Sequence, residues 1–404
     1  MEQITKPNCG ARLDRLPDCR WHSSMFAIVA FGLLVCWSNA VGGLILAQLK
    51  ALGWTDNSTT ATFSAITTAG MFLGALVGGI IGDKTGRRNA FILYEAIHIA
   101  SMVVGAFSPN MDFLIACRFV MGVGLGALLV TLFAGFTEYM PGRNRGTWSS
   151  RVSFIGNWSY PLCSLIAMGL TPLISAEWNW RVQLLIPAIL SLIATALAWR
   201  YFPESPRWLE SRGRYQEAEK VMRSIEEGVI RQTGKPLPPV VIADDGKAPQ
   251  AVPYSALLTG VLLKRVILGS CVLIAMNVVQ YTLINWLPTI FMTQGINLKD
   301  SIVLNTMSMF GAPFGIFIAM LVMDKIPRKT MGVGLLILIA VLGYIYSLQT
   351  SMLLITLIGF FLITFVYMYV CYASAVYVPE IWPTEAKLRG SGLANAVGRI
   401  SGIA

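Results

Sequence analysis

The chain is short of charge, of histidine and of acid. Only 13% of its 404 residues are Asp, Glu, Lys or Arg, where a soluble domain carries roughly 25%. Ser24–Leu49, Asn57–Gly82, Val152–Ala176, Val266–Leu298 and Thr330–Pro379 hold none at all. A bilayer-spanning helix needs about 20 mostly apolar residues, and several of these stretches exceed that. A soluble enzyme, a secreted disulfide scaffold and a disordered chain are therefore excluded. Seven cysteines and two histidines fall without metal-ligand spacing, so no metal, cofactor or disulfide is expected. No phosphate-cradling glycine loop is present, so ATP hydrolysis is not the expected drive.

What remains is a polytopic membrane protein. Six spans are predicted at Ser24–Leu49, Thr60–Ile81, Asn89–Phe107, Asp112–Thr137, Val152–Ile174 and Val182–Phe202. After a hydrophilic loop come Val266–Met292, Ile302–Met323, Met331–Leu348 and Met352–Val378, and an eleventh begins near Leu393. The division is thus a tail over 1–23, a first bundle over 24–202, a central loop over 203–265 and a second bundle over 266–404. Alternating the sides puts all but five of the 31 lysines and arginines on one of them. Two of the five, Arg118 and Arg399, lie within spans. The positive-inside rule makes the basic side cytoplasmic, the N-terminus included. The net charge of +10 therefore belongs to the membrane surface, and no nucleic-acid partner is expected. In the loop, Tyr215–Glu227 reads as an amphipathic helix with Glu219 and Arg223 at i,i+4, lying under the bundles against the membrane. Pro236, Pro238, Pro239 and Asp244-Asp245-Gly246 read as linker.

Two motifs recur in the two halves. Gly82-Asp83-Lys84-Thr85-Gly86-Arg87-Arg88 follows the second span, and Asp324-Lys325-Ile326-Pro327-Arg328-Lys329 follows the eighth with the same spacing of acid, breaker and two bases. Glu138 with Arg145 follows the fourth span, and Glu380 with Arg389 follows the tenth. Recurrence in the same order marks an internal repeat. Gly70, Gly74 and Gly78 on the second span, with Gly122, Gly124 and Gly126 on the fourth, are packing residues of the small-xxx-small kind.

Gly79–Arg88, Arg118–Gly126, the Pro203-Glu204-Ser205-Pro206-Arg207-Trp208-Leu209 run after span six, and the Glu138-to-Arg145 and Pro379-Glu380 pairs together resemble the major facilitator superfamily. Within it, they are most similar to the branch of sugar porters and synaptic-vesicle-protein-like organic-solute carriers. The resemblance implies an all-α membrane protein of two six-helix bundles that rock about a central site. The second bundle is expected to be incomplete, because the chain ends in the eleventh span. Asp83, Arg87, Arg88, Glu138, Arg145, Glu204, Arg207, Asp324, Arg328, Glu380 and Arg389 are the candidates for a cytoplasmic gate whose ion pairs cross between bundles and break on opening.

Ionisable groups at bilayer depth are functional candidates. Glu95 and His98 share a helix face at i,i+3 and can exchange a proton. Arg118 stands on span four, about 9 Å from Glu95 along the membrane normal, too far for a direct pair. Proton-coupled relatives are implied to pair this Arg with an Asp in span one, yet Cys36-Trp37-Ser38-Asn39-Ala40-Val41 offers no carboxylate there. Three readings stay open: coupling moved to Glu95 and His98, a facilitator that needs no proton, or a structural pair. Substrate contacts are expected from Asn277, Gln280, Tyr281, Asn285 and Trp286 on span seven, with Asn157, Asn305 and the Phe365, Tyr369, Tyr372 strip of span ten. Ala275-Met276 replaces the paired glutamines of sugar porters, which weakens a sugar reading. The set suits a small planar or aromatic solute, with a carboxylate held by Arg118. The expected function is secondary active or facilitated transport of a small organic solute (organic acid, aromatic carboxylate or sugar-like) by a monomer in the bilayer, with protons as a candidate partner. The alternative is a solute sensor with a transporter fold.

Overall fold

The computed structural model describes residues 7–17, 19–37, 40–141, 145–240, 254–293, 295–323, 325–349, 351–382 and 387–401. The side chains at 57, 133, 134, 137, 145, 146, 254, 285, 293, 379 and 387–389 are outside that description. The expected linker residues Asp244-Asp245-Gly246 and the gate residue Asp324 also lie outside it.

A short helix α1 (Cys9–Asp14) precedes the first span, which is split into α2 (Arg20–Val35) and α3 (Gly42–Ala51). The second to fourth spans are α4 (Asn57–Thr85), α5 (Arg87–Ala106) and α6 (Met111–Tyr139). The fifth is α7 (Arg145–Asn157) with α8 (Ser159–Leu170), and the sixth is α9 (Ala176–Tyr201). The loop carries α10 (Pro206–Ser211), α11 (Tyr215–Thr233) and α12 (Tyr254–Leu257). The second half runs through α13 (Gly260–Thr293), α14 (Leu298–Met309) with α15 (Gly311–Val322), and α16 (Arg328–Ser347). It ends with α17 (Met352–Cys371), a π-helical turn Tyr372–Tyr377, α18 (Val378–Glu380) and α19 (Lys387–Ile400). Among the described residues, eight helical segments are long and apolar enough to cross a membrane. Several helices outrun their expected spans: α4 reaches Thr85, so Asp83 is in its last turn, and α13 starts six residues early at Gly260.

Two of the breaks share one cause. Pro161 and Pro313 are each the third residue of the second segment of their span, and neither can donate the N–H that would bond the residue four back, Asn157 or Met309. The interruptions at Trp158 and Phe310 fall in the fifth and eighth spans, which pack against each other across the two halves. The repeat seen in the loops thus extends into the helix breaks.

Glycine sets the closest approaches within each half. A Cβ on Gly70 or Gly74 of α4 would strike the carbonyl of Phe119 or Val123, and one on Gly126 of α6 would strike that of Met71. Gly311 and Gly315 of α15 seat the carbonyls of Phe360 and Thr364 of α17 in the same way. Removing side chains lets backbones meet, which is how apolar helices associate where water supplies no drive.

The ends of the molecule differ. At the basic face, Cys9, Leu13 and Leu16 bury themselves against Trp208, Leu209, Met222 and Ile225, so the tail helix docks on α10 and α11. At the opposite face, Trp37, Leu44, Ile45 and Leu46 of the first half share one apolar core with Ile302 of the second.

Candidate functional site

A cavity of about 290 Å³ lies between the halves. Leu33, Cys36, Met71, Leu125 and Asn157 line it from the first half, and Asn277, Gln280, Tyr281, Asn395 and Arg399 from the second. Its floor toward the opposite face is the seal just described. Asn305 Nδ2 donates across that seal to Ser164 Oγ at 3.2 Å, and the Tyr160 and Tyr367 rings meet edge-on at 5.4 Å.

Four of the expected substrate residues, Asn157, Asn277, Gln280 and Tyr281, come together on this lining. The Asn157 amide donates to the Ser153 carbonyl at 2.8 Å, which holds its oxygen in place. Asn305 serves the seal and not the wall, and Trp286 stands off the lining. The Asn285 side chain is outside the described residues. Tyr369 and Tyr372 belong to the core of the second half: the Tyr369 hydroxyl donates to the Val272 carbonyl at 3.3 Å, and Tyr372 stacks on Tyr377 at 5.2 Å. The aromatic strip is packing, because α13 and α16 cover the face it presents.

The cation expected to meet a carboxylate is also elsewhere. Arg118 is 2% exposed, stacked over the Phe63 ring at 4.6 Å, with Nε donating to Thr67 Oγ1 at 3.3 Å and Nη1 directed at Met121 Sδ. It does not line the cavity. Among the described lining residues the charge belongs to Arg399, whose Nη1 is buried without an acceptor. Arg399 and Asn395 are i,i+4 on α19 and share a face. Arg399 was visible in the sequence as a charge within a span, the signal that singled out Arg118.

Glu95 and His98 are fully buried, with Oε2 and Nδ1 3.6 Å apart. Gly124 admits the His98 backbone: a Cβ there would lie 3.0 Å from the His98 nitrogen. Cys36, at the break in the first span, lines the cavity and is within electrostatic reach of Glu95.

The gate charges form two compact clusters. Arg87 pairs with Asp83 at 2.6 Å and with Glu138 at 2.9 Å, and Glu138 also accepts from the Ser205 hydroxyl. Glu204 Oε1 accepts the backbone N–H groups of Arg87, Arg88 and Ser205 at 2.7, 3.2 and 2.9 Å, capping α5 at its positive end. Trp208 Nε1 donates to the Asp83 carbonyl at 2.7 Å. In the second half Arg328 grips Glu380 with two bonds at 2.9 and 3.1 Å. These pairs were expected to cross between the bundles, and each instead closes within its own half. The physical reason is the packing of each half: helix ends that meet on its basic face bring Arg87 to Glu138, 51 residues away, and Arg328 to Glu380, 52 residues away. Arg207 pairs with Asp14 of the tail at 2.9 Å. The side chains of Arg145 and Arg389 lie outside the described residues.

The family model described as Major Facilitator Superfamily matches residues 25–404. The chain is 44% identical to the inner membrane metabolite transport protein YdjE of Escherichia coli over all of its own length and 88% of that protein's. It is 25% identical to the niacin transporter NiaP of Acinetobacter baylyi over 98% of this chain and 88% of that protein. Its fold matches the partially occluded inward-open xylose transporter XylE from E. coli with a TM-score of 0.71 at 18% identity, covering 95% of this chain and 90% of that one. Its relatives move small solutes across membranes and are not enzymes, and the chain belongs to the major facilitator superfamily.

Proposed function

We propose that the protein carries a small organic acid across the cytoplasmic membrane by alternating access, with the acid's carboxylate seated on Arg399. The observation that carries this reading is a guanidinium with an unused buried N–H in a cavity otherwise walled by amides, two phenols, serines and apolar groups. An arginine offers a planar fork that matches a carboxylate, and burial strengthens the pairing. Asn277, Gln280, Asn395 and Tyr281 then bond the remaining polar atoms, while Met71 and Leu125 cover an apolar or aromatic body. The niacin transporter among the relatives fits a planar aromatic carboxylate. Taking the basic face as cytoplasmic puts the seal on the outward side of the cavity.

Coupling to protons is assigned to Glu95 and His98. The pair is buried behind the break in the first span, beside the cavity-lining Cys36, where a proton taken up by Glu95 is passed to the His98 ring. Uptake into proteoliposomes of labelled sugars, aromatic acids and nicotinate, with and without a protonophore, tests both parts. Arg399→Gln should lower kcat/KM for the transported acid by about 10–100-fold, the worth of a charged hydrogen bond. Arg399→Lys should restore part of it. Glu95→Gln should abolish accumulation and spare exchange. Intact acid uptake by Arg399→Gln refutes the carboxylate seat, and uptake to equilibrium that ignores the protonophore refutes the coupling.

A further inference from the structure

A second hollow, of about 700 Å³, opens on the flank of the basic face away from the central cavity. It is framed by α11 on one side and by the ends of α2, α5 and α9 on the other, with Trp21, Arg88, Tyr201, Arg214, Lys220 and Ser224 on its walls. Two carboxylates also reach it, and both are already committed. Glu204 is bonded to three backbone N–H groups, and Glu217 is held by Arg214 at 2.7 and 2.5 Å. The positive side is not neutralised to the same extent. Arg88 gives one N–H to the Trp199 carbonyl but keeps a buried Nε without an acceptor. Lys220 has no ion-pair partner among the described residues. The groove therefore presents two cations in want of an anion.

Its level in the molecule says which anion. Trp199 and Tyr201, at the end of α9, are 64% and 59% exposed, and Arg200 lies over the Tyr201 ring at 5.5 Å. Exposed Trp and Tyr at the end of a span, with an arginine beside them, mark the headgroup layer. The groove begins there, at Tyr201 and Pro203. Basic pockets between helices at the membrane surface take anionic headgroups, and a hollow of this size accommodates one. We propose that the groove seats the phosphate of an anionic phospholipid from the adjoining leaflet, between Arg88 and Lys220. The bound lipid bridges α11 to the first bundle, so that the loop helix is fastened to the membrane-embedded part by a lipid as well as by protein contacts.

Native mass spectrometry of the purified full chain, titrated with phosphatidylglycerol, phosphatidylcholine or inorganic phosphate, tests this. Phosphatidylglycerol should be retained in preference to phosphatidylcholine, and inorganic phosphate should not displace it. Lys220→Ala should weaken retention about fivefold, the worth of one basic residue near the membrane surface, and Lys220→Glu should weaken it further. Lys235→Glu, a loop charge outside the groove, should leave it unchanged. Arg88→Gln should also weaken retention, and exposed Lys220 carries the test alone if that variant fails to fold. Equal retention of the two lipids, displacement by free phosphate, or an equal loss in Lys235→Glu overturns the proposal.

Discussion

Gly86 and Glu204 compete for the same volume. A Cβ on Gly86 would run into the Glu204 carboxylate, and Gly86 also sits at φ +98°, where side chains are strained. Only with glycine there can the carboxylate reach the first N–H groups of α5. Gly86→Ala should displace it and cost about 1–3 kcal/mol through the lost charged hydrogen bonds, read as a lower melting midpoint in detergent. Glu204→Ala should cost a similar amount. The double variant should cost less than the sum, because both changes break one interaction. Additive losses would show that the glycine serves some other end.

The tail helix is held by charge. Arg12 bonds Glu226 through both Nε and Nη2, at 3.0 and 2.7 Å, and also bonds Glu219, while Glu210 accepts the N–H of Asn8 and of Cys9. Burial works to raise the Glu226 carboxyl, but the bonds from Arg12 and Arg15 prevail and hold it below the usual range. A depressed carboxylate stabilises docking fully above its free value of about 4.3 and loses that stabilisation as the pH falls through the native value. Docking of α1 should therefore hold from neutral pH to about pH 5 and weaken on further acidification. Glu226→Gln should loosen it already at pH 7. Cys9, fully buried and with its thiol pushed up to about 12 by burial and then by Glu210, reports the event. In a single-cysteine protein its alkylation at pH 7.5 should quicken about tenfold in Glu226→Gln, for a loss near 1.5 kcal/mol. An unchanged rate would mean that the apolar contacts of Leu13 and Leu16 suffice.

The sequence was most readable where composition and periodicity act over many residues. Long uncharged runs gave the spans, and the Asp83 and Asp324 motifs gave the repeat. Gly70, Gly74 and Gly126 were rightly read as packing, since a backbone contact at four-residue spacing needs no knowledge of the partner's position beyond its helix. The site was less readable because a side chain's role depends on what faces it. Tyr369 and Tyr372 form as good an amphipathic strip as any binding wall, yet α13 and α16 cover it. Arg118 and Arg399 are both charges within spans, and only the bundle's rotation about each helix axis decides that Arg399 meets the cavity. The Arg87–Glu138 pair was expected between the bundles, whereas the start of α5 and the end of α6 bring it together within the first half.

The glycine contacts make opposite predictions for neighbouring positions of α4. A Cβ on Gly74 would collide with the Val123 carbonyl, whereas one on Gly79 meets nothing within 4 Å. Gly74→Ala should push α4 and α6 apart and destabilise by about 1–3 kcal/mol, as overpacking does. Gly79→Ala should be neutral or stabilising by up to about 1 kcal/mol, the helix propensity gained. Thermal melts of both variants in the same detergent decide it. A Gly74→Ala protein as stable as its parent would show that the two helices have room to separate.

The polar bond across the seal sets how readily the opposite face opens. Asn305 Nδ2 donates to Ser164 Oγ from one half to the other, amid buried apolar side chains. A neutral hydrogen bond is worth about 1 kcal/mol, or about fivefold in an equilibrium between two states. Ser164→Ala should therefore raise the population open at that face by about this factor, and Asn305→Ala by no more, since it also relieves the closed state of a buried oxygen without a partner. Cys163, buried beside Ser164 on α8, reports the opening in a protein lacking the other cysteines. A membrane-impermeant maleimide added at the opposite face should label it about fivefold faster in either variant. The double variant should gain little more, because the shared bond is already gone. If neither substitution changes labelling, the apolar contacts of Ile302 with Leu44 and Ile45 close the face alone, and the barrier to outward opening lies in the core of the seal.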